Sequence, residues 1–245
     1  MQAPDQYLLD LPELQERDRP TFENFIPGRN APVLAAICEM AAGGGPRLLY
    51  LYGAVGVGLT HLLNAFAPEQ SERVPCFQED RVRYAVDDLE RLSAEEADAL
   101  RRLIDAVMAS EKARLVCAGH LPLNKLPLPL GVTSRLSAGL CSRVVPLSES
   151  DRFRELRRLA AIRGIVMTDE MESWMSAHLP RDMRTLTRVL DIANQLSLHA
   201  KSRVALATLK EAARIAREAG LLGPGAFSAS RIRLASLIRE KKNFE

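Results

Sequence analysis

Gly53, Gly56, Gly58 and Thr60 are spaced to hold a phosphate. The run from Arg47 to Asn64 reads as a buried strand, a glycine loop and the start of a helix. It fits the pattern G-x-x-x-x-G-K-[ST] at every fixed position except the lysine, where Leu59 stands. The glycines let successive backbone N–H groups converge as an anion-binding nest, and a helix starting near Gly58 points its positive end at the same place. Thr60 offers a hydroxyl to Mg²⁺, and His61 follows it. Leucine supplies no charge for the β- and γ-phosphates. The stretch therefore has the shape of a phosphate cradle without its cation. A glycine turn with no ligand is the plain alternative.

Two further constellations suit phosphate chemistry. Val82-Arg83-Tyr84-Ala85-Val86 reads as a strand delivering Asp87 and Asp88 at its carboxyl end. There a carboxylate can hold the water shell of Mg²⁺, although such a pair also serves as an ordinary turn or helix cap. Arg114 to Ala118 is the next strand, closing at Gly119-His120, where the histidine could sense a phosphate but reads by default as a surface turn residue. Leu121 to Val132 is a proline-rich loop, and Thr133-Ser134-Arg135-Leu136 after it places Arg135 in a loop. Cys38, Cys76, Cys117 and Cys141 lie far apart, and with four scattered histidines they form no metal-ligand spacing.

The elements around these residues alternate. Thr21 to Asn30 leads into a helix ending near Gly43-Gly44-Gly45, and a short strand fits Val74 to Phe77. Ser93-Ala94-Glu95-Glu96 is a capping box, followed by Ala97, Leu100, Leu103, Ile104 and Val107 at helical spacing. Strand and helix in alternation predict an α/β fold with a parallel sheet covered by helices. From Ser148 the pattern turns to helices alone, at about 150–164, 168–178, 181–198 and 208–219. Arg152, Arg154, Arg157, Arg158 and Arg163 interleave with Asp151 and Glu155, which favours a solvated helix face over a nucleic-acid patch. Residues 1–20 are polar and proline-punctuated, with one apolar cluster at Gln6-Tyr7-Leu8-Leu9-Asp10-Leu11 that reads as a tucked terminus or a linear motif. Gly223-Pro224-Gly225 opens a basic amphipathic tail.

At 245 residues, with a net charge of +2, the composition is that of a globular protein, and the charge by itself gives no argument for nucleic-acid binding. No formal charge occurs between Leu48 and Pro68, yet the glycines, Thr60, His61 and Asn64 inside that run argue against a membrane span. No signal peptide is expected, and the cysteine usage fits a reducing, cytoplasmic setting.

Assembled, these residues resemble the AAA+ P-loop proteins of the DnaA/Hda group, and within it the regulatory-inactivator branch. The likeness rests on Thr21-Phe22-Glu23-Asn24-Phe25 with Pro27-Gly28, the loop ending Thr60-His61-Leu62-Leu63, and Asp87-Asp88. Ser134-Arg135-Leu136, Val145-Pro146-Leu147-Ser148, Arg163-Gly164-Ile165 and Arg181-Asp182-Met183-Arg184-Thr185-Leu186 extend it. The resemblance covers residues 21 to about 215. It implies a three-layer α/β base over 21–147, an all-α lid bundle over 148–219, a flexible extension over 1–20, and a linker and tail over 220–245. No DNA-binding helix-turn-helix is expected after residue 219.

The resemblance also implies roles. Gln6, Leu8, Leu9 and Leu11 fall on a motif that binds the DNA polymerase III sliding clamp. Arg135 falls on an arginine finger acting in trans on ATP held by the DnaA initiator. Gly53, Gly56, Gly58, Leu59, Thr60, His61 and Arg184 fall on a site for ADP or ATP, and Thr60 and Asp87 on its Mg²⁺. Three departures bear on that site: Leu59 replaces a basic residue, His120 stands where an acid is usual, and the span from Asn64 to Val82 is short for a strand plus helix. The expectation is a regulator that docks on the clamp and accelerates hydrolysis of DnaA-bound ATP. It would bind nucleotide weakly itself and lack its own ATPase. Contact with DNA would be indirect, through the clamp, and homo-oligomers are allowed. A non-catalytic adaptor with a degenerate nucleotide site is the alternative, and an ordinary ATP-hydrolysing loader is disfavoured by Leu59.

Overall fold

A computed structural model describes residues 19–220 and Leu222. The chain divides between Leu147 and Ser148 into two compact units, and the described residues of each contain an apolar core.

The first unit is built on β1 (Leu48–Tyr52), whose residues are almost all buried. With β2 (Arg83–Val86), β3 (Arg114–Gly119) and β4 (Leu140–Arg143) it forms a four-stranded sheet in the order β2-β3-β1-β4, every pairing parallel. Around it stand α1 (Ala31–Ala41), α2 (Leu59–Phe66), α3 (Ala94–Ala109) and α4 (Leu130–Ser137). The side chains of β1 alternate between two cores. Leu49 and Leu51 join Ile37, Leu62 and Phe66 of α1 and α2. Leu48 and Tyr50 join Leu100, Leu103 and Ile104 of α3 and Val132 and Leu136 of α4. Successive strand residues point to opposite faces, so this alternation makes the unit three-layered, with helices on both sides. A strand covered on both faces reads as a continuous apolar run, which is why Leu-Leu-Tyr-Leu-Tyr shows no period of two.

Local chemistry sets the boundaries. α3 opens on the expected capping box: the Glu96 N–H donates to Ser93 Oγ at 3.2 Å, and the Ser93 N–H donates to Glu96 Oε2 at 2.8 Å. α4 forms where the sequence predicts only loop. The Pro129 carbonyl accepts from the N–H groups of Val132 and Thr133 at 2.9 and 3.2 Å, so the helix opens where the proline run ends. Arg135 therefore lies on a helix rather than in a loop.

The strand expected at Val74–Phe77 does not form; residues 67–82 hold neither helix nor strand. Pro75 removes a ladder donor there, and the outer edge of β2 is covered by side chains instead. Gln70 accepts from the Ala85 N–H at 2.9 Å and donates back to the Ala85 carbonyl, as a neighbouring strand would. Phe77 stacks on Tyr84 at 5.8 Å, and the Arg81 guanidinium lies 5.0 Å from the same ring. The edge is thus blunted without a fifth strand.

The second unit contains α5 (Glu149–Ile162), α6 (Asp169–His178), α7 (Met183–His199) and α8 (Leu206–Glu218). Ser148, Thr168 and Asp182 cap the first three by accepting from backbone N–H groups of the first turn. Phe153, Leu156, Met175, Val189, Leu190, Leu209 and Ala213 share its core. The arginines of α5 and of its C-cap are engaged: Arg154 pairs with Asp151, Arg157 with Glu172, Arg158 with Glu155 and the C-cap Arg163 with Asp191, while Arg152 is buried. The Gln6–Leu11 cluster and the basic tail lie outside the described residues. Among the described residues no helix is long and apolar enough to cross a membrane.

Candidate functional site

The glycine loop runs from the end of β1 into α2, and the packing around it dictates its composition. A Cβ on Gly53 would sit 2.4 Å from the Val144 carbonyl oxygen, so the close approach of the chain leaving β4 requires glycine there. Gly58 lies in the left-handed region at φ 98°, and a Cβ on it would meet the Phe25 ring at 2.8 Å. Gly56 also has positive φ, at 86°. Beyond the loop α2 presents the first-turn N–H groups and helix dipole on which anion binding at a helix start depends.

The predicted nucleotide residues divide by where their side chains go. Leu59 is 4% exposed and belongs to the apolar core with Phe25, Leu62, Leu63 and Phe66. Spaced as 59, 62, 63 and 66, these residues form the core face of α2, so Leu59 offers a phosphate only its backbone N–H. Thr60 is exposed, and its hydroxyl donates to Asp87 Oδ2 at 2.6 Å. The His61 ring donates through Nε2 to the Thr21 carbonyl at 2.8 Å and packs against Phe25, with ring centroids 5.6 Å apart. His61 thus fastens the Thr21–Phe25 block onto α2. That block is itself closed by Thr21 and Asn24, each side chain accepting from the other's N–H at 2.9 and 3.2 Å.

Asp87 follows β2, as the sequence predicts. Its Oδ1 accepts from the Asp88 N–H at 2.9 Å while Oδ2 takes the Thr60 hydroxyl. Burial holds its pKa above the ordinary value of 3.8, against the opposing effect of these hydrogen bonds. A hydroxyl and a partly desolvated carboxylate in contact suit a hard divalent cation, and Thr60 and Asp87 would hold Mg²⁺, which would offset phosphate charge.

Arg135 lies in the last turn of α4 and is half-buried. Its Nε donates to Asp105 Oδ1 of α3 at 2.5 Å, and its Nη1 donates to the Gly131 carbonyl at 2.7 Å. The Asp105 carboxylate holds the guanidinium above its usual range and is itself held low by the same contact. Arg143, at the end of β4, is exposed. In the second unit, Arg184 is exposed in the first turn of α7, behind the Asp182 cap, which accepts from the Thr185 N–H at 2.8 Å.

Two positioning residues were not legible in the sequence. Asn30 is buried and exchanges paired hydrogen bonds with the backbone of Val145, both at 2.8 Å, fixing the start of α1 beside the chain that leaves β4. Asp105 holds Arg135 from a helix position that the sequence marks only as an acid on a polar face. Both act across a gap in sequence that no local pattern spans.

Residues 16–115 match the family described as Bacterial DnaA ATPase domain, and residues 149–212 match the family described as Hda, lid domain. Among solved structures, domain III of the replication initiation protein DnaA from Thermotoga maritima is 20% identical, with a TM-score of 0.61 over 80% of this chain and 96% of that one. DnaA from Aquifex aeolicus bound to AMPPCP is 17% identical, with a TM-score of 0.57 over 92% and 93%. The Holliday junction branch migration motor RuvB from Thermotoga maritima is 15% identical, with a TM-score of 0.58 over 80% and 72%.

Proposed function

The chain is an AAA+ protein of the Hda/DnaA type, and from that premise we propose that it regulates replication initiation by acting on DnaA. In this reading it docks on the DNA sliding clamp through Gln6, Leu8, Leu9 and Leu11, and Arg135 completes the site of an ATP bound to a neighbouring DnaA. One observation carries the reading: the phosphate loop keeps its shape, but Leu59 turns its side chain into the core. A loop so built supplies backbone dipoles and a Thr60–Asp87 pair without the cation that drives its own hydrolysis. The chemistry is then directed at a phosphate held elsewhere.

The work of a trans arginine is electrostatic. A planar guanidinium placed against the transferred phosphoryl group stabilises charge that grows in the transition state, worth about 10³–10⁵ in rate. Arg135 meets the geometric demand in part, being half-exposed on a helix, and its contact with Asp105 must yield when a phosphate arrives. Within the chain's own loop, Gly53, Gly56, Gly58, Leu59, Thr60 and His61 are assigned to weak binding of ADP or ATP with Mg²⁺.

The Asp105 contact also favours a second reading, in which Arg135 stays engaged and the protein is an adaptor that blocks DnaA assembly. Phosphate release from ATP-loaded DnaA, with clamp on primed DNA, separates them. A catalytic regulator speeds release and loses its effect when DnaA carries a non-hydrolysable nucleotide. An adaptor inhibits equally with either nucleotide and leaves the release rate unchanged.

A further inference from the structure

At the carboxyl ends of β2 and β3, beside the phosphate loop but outside the Thr60–Asp87 pair, three side chains converge. His120 Nε2 lies 3.6 Å from Asp88 Oδ1 and 3.9 Å from Glu90 Oε1. One ligand atom from each residue lies within 4.8 Å of the others. From this arrangement we infer a binding site for a borderline divalent transition ion of the zinc class, held by Asp88, Glu90 and His120.

The imidazole is oriented as a ligand. Its Nδ1 lies 3.0 Å from the Gly53 carbonyl oxygen. A carbonyl only accepts, so Nδ1 carries a proton, and this bond turns Nε2 toward the two carboxylates. Metal-binding histidines are oriented in this way, by a hydrogen bond from the second ring nitrogen to a carbonyl.

The carboxylates are placed with equal care. Glu90 accepts from the His120 N–H through both oxygens, each at 3.2 Å. A Cβ at position 119 would lie 2.6 Å from Glu90 Oε2, so the bare backbone of Gly119 makes the room that carboxylate occupies. Asp88 turns Oδ1 to the histidine and leaves Oδ2 to a long contact with Arg91 at 3.8 Å. Ligand atoms around a tetrahedral ion with bonds of about 2.1 Å sit roughly 3.4 Å apart, so the two histidine contacts need to contract by only a few tenths of an ångström. One imidazole with two carboxylates suits Zn²⁺ and Co²⁺ better than Mg²⁺, which prefers oxygen and water. All three side chains are partly solvent-accessible, leaving water to complete the coordination. Because His120 also holds the Gly53 carbonyl, an ion here would tie the end of β3 to the start of the phosphate loop.

The test uses the full chain, stripped of metal by a chelator and titrated with Co²⁺ and Zn²⁺ alone. The expected result is one equivalent of Co²⁺ giving visible ligand-field bands, displaced by Zn²⁺ and unaffected by excess Mg²⁺. His120→Asn and Glu90→Gln should each weaken Zn²⁺ binding at least about tenfold, measured by competition with a chromophoric chelator, with far-ultraviolet circular dichroism unchanged. The inference is overturned if the wild type shows no saturable Co²⁺ binding, or if His120→Asn binds Co²⁺ as the wild type does. A thiolate-to-cobalt charge-transfer band lost in Cys76→Ser or Cys141→Ser would also overturn it, since the ion would then sit on a cysteine. If His120→Asn fails to fold, the wild-type cobalt spectrum and the Glu90→Gln titration decide the matter.

Discussion

Leu59→Lys separates the shape of the phosphate loop from its charge. The leucine is 4% exposed and packs with Phe25, Leu62, Leu63 and Phe66. Fully burying such a side chain contributes about 1.5–3 kcal/mol. A lysine stem recovers part of this if its ammonium reaches out to the loop, so the expected net loss is about 1–3 kcal/mol. At about 2–4 °C per kcal/mol for a chain of this size, Tm without nucleotide should fall by roughly 2–12 °C. Binding should move the other way. A charge-assisted contact to phosphate is worth about 1–3 kcal/mol, so Kd for ADP with Mg²⁺ should tighten by roughly 5- to 150-fold. Leu59→Met, which keeps volume without charge, should cost less than about 1.5 kcal/mol and leave Kd unchanged. Thermal unfolding with and without ADP, and calorimetric titration, provide both readouts. An unaltered Tm in Leu59→Lys would refute the core role of Leu59. Tight wild-type binding that the lysine leaves unchanged would refute the claim that the loop lacks a needed cation.

Three further outcomes are expected. Burial lifts Asp87 above its ordinary 3.8, so its contribution to stability is fully present below that value and lost as pH rises through the folded value; metal-free Asp87→Asn should melt above wild type at neutral pH, with the gap closing in acid, and the opposite order at neutral pH contradicts this. Asp105→Asn should free Arg135 from its ion pair and raise stimulation of DnaA-bound ATP hydrolysis without lowering Tm; a loss of stimulation would mean that Asp105 positions the arginine productively. Alanine at Gln6, Leu9 and Leu11 together should abolish binding to the sliding clamp with Tm unchanged, whereas a fall of several degrees would show that these residues pack on the fold.

What the sequence made legible is what neighbours along the chain decide. The glycine loop, the Ser93–Glu96 capping box and the helices after Ser148 depend on contacts a few residues apart, and the structure places them within a residue or two of expectation. The proline run hid α4 altogether, because Pro129 ends the loop and at the same time supplies the first helical acceptor. The run at Val74–Phe77 has strand composition, but Gln70 takes the edge hydrogen bonds of Ala85 that such a strand would need. Leu59 was legible as a missing charge and not as a core residue, since burial depends on Phe25 arriving from 34 positions earlier in the chain. The pairing of Arg135 with Asp105 is equally non-local, and it is the feature that most changes how the arginine must work: it has to leave one carboxylate to meet a phosphate.

That exchange points to the decisive measurement, which is single-turnover phosphate release from ATP-loaded DnaA, with clamp on primed DNA, comparing wild type with Arg135→Ala, Arg135→Lys and Arg143→Ala. Arg135→Ala should keep its fold and its clamp binding and lose the acceleration, with Arg135→Lys recovering little because a point charge cannot reproduce a planar two-pronged contact. Arg143→Ala should retain most of the effect. Near-normal acceleration by Arg135→Ala would contradict the account and leave the adaptor reading in its place.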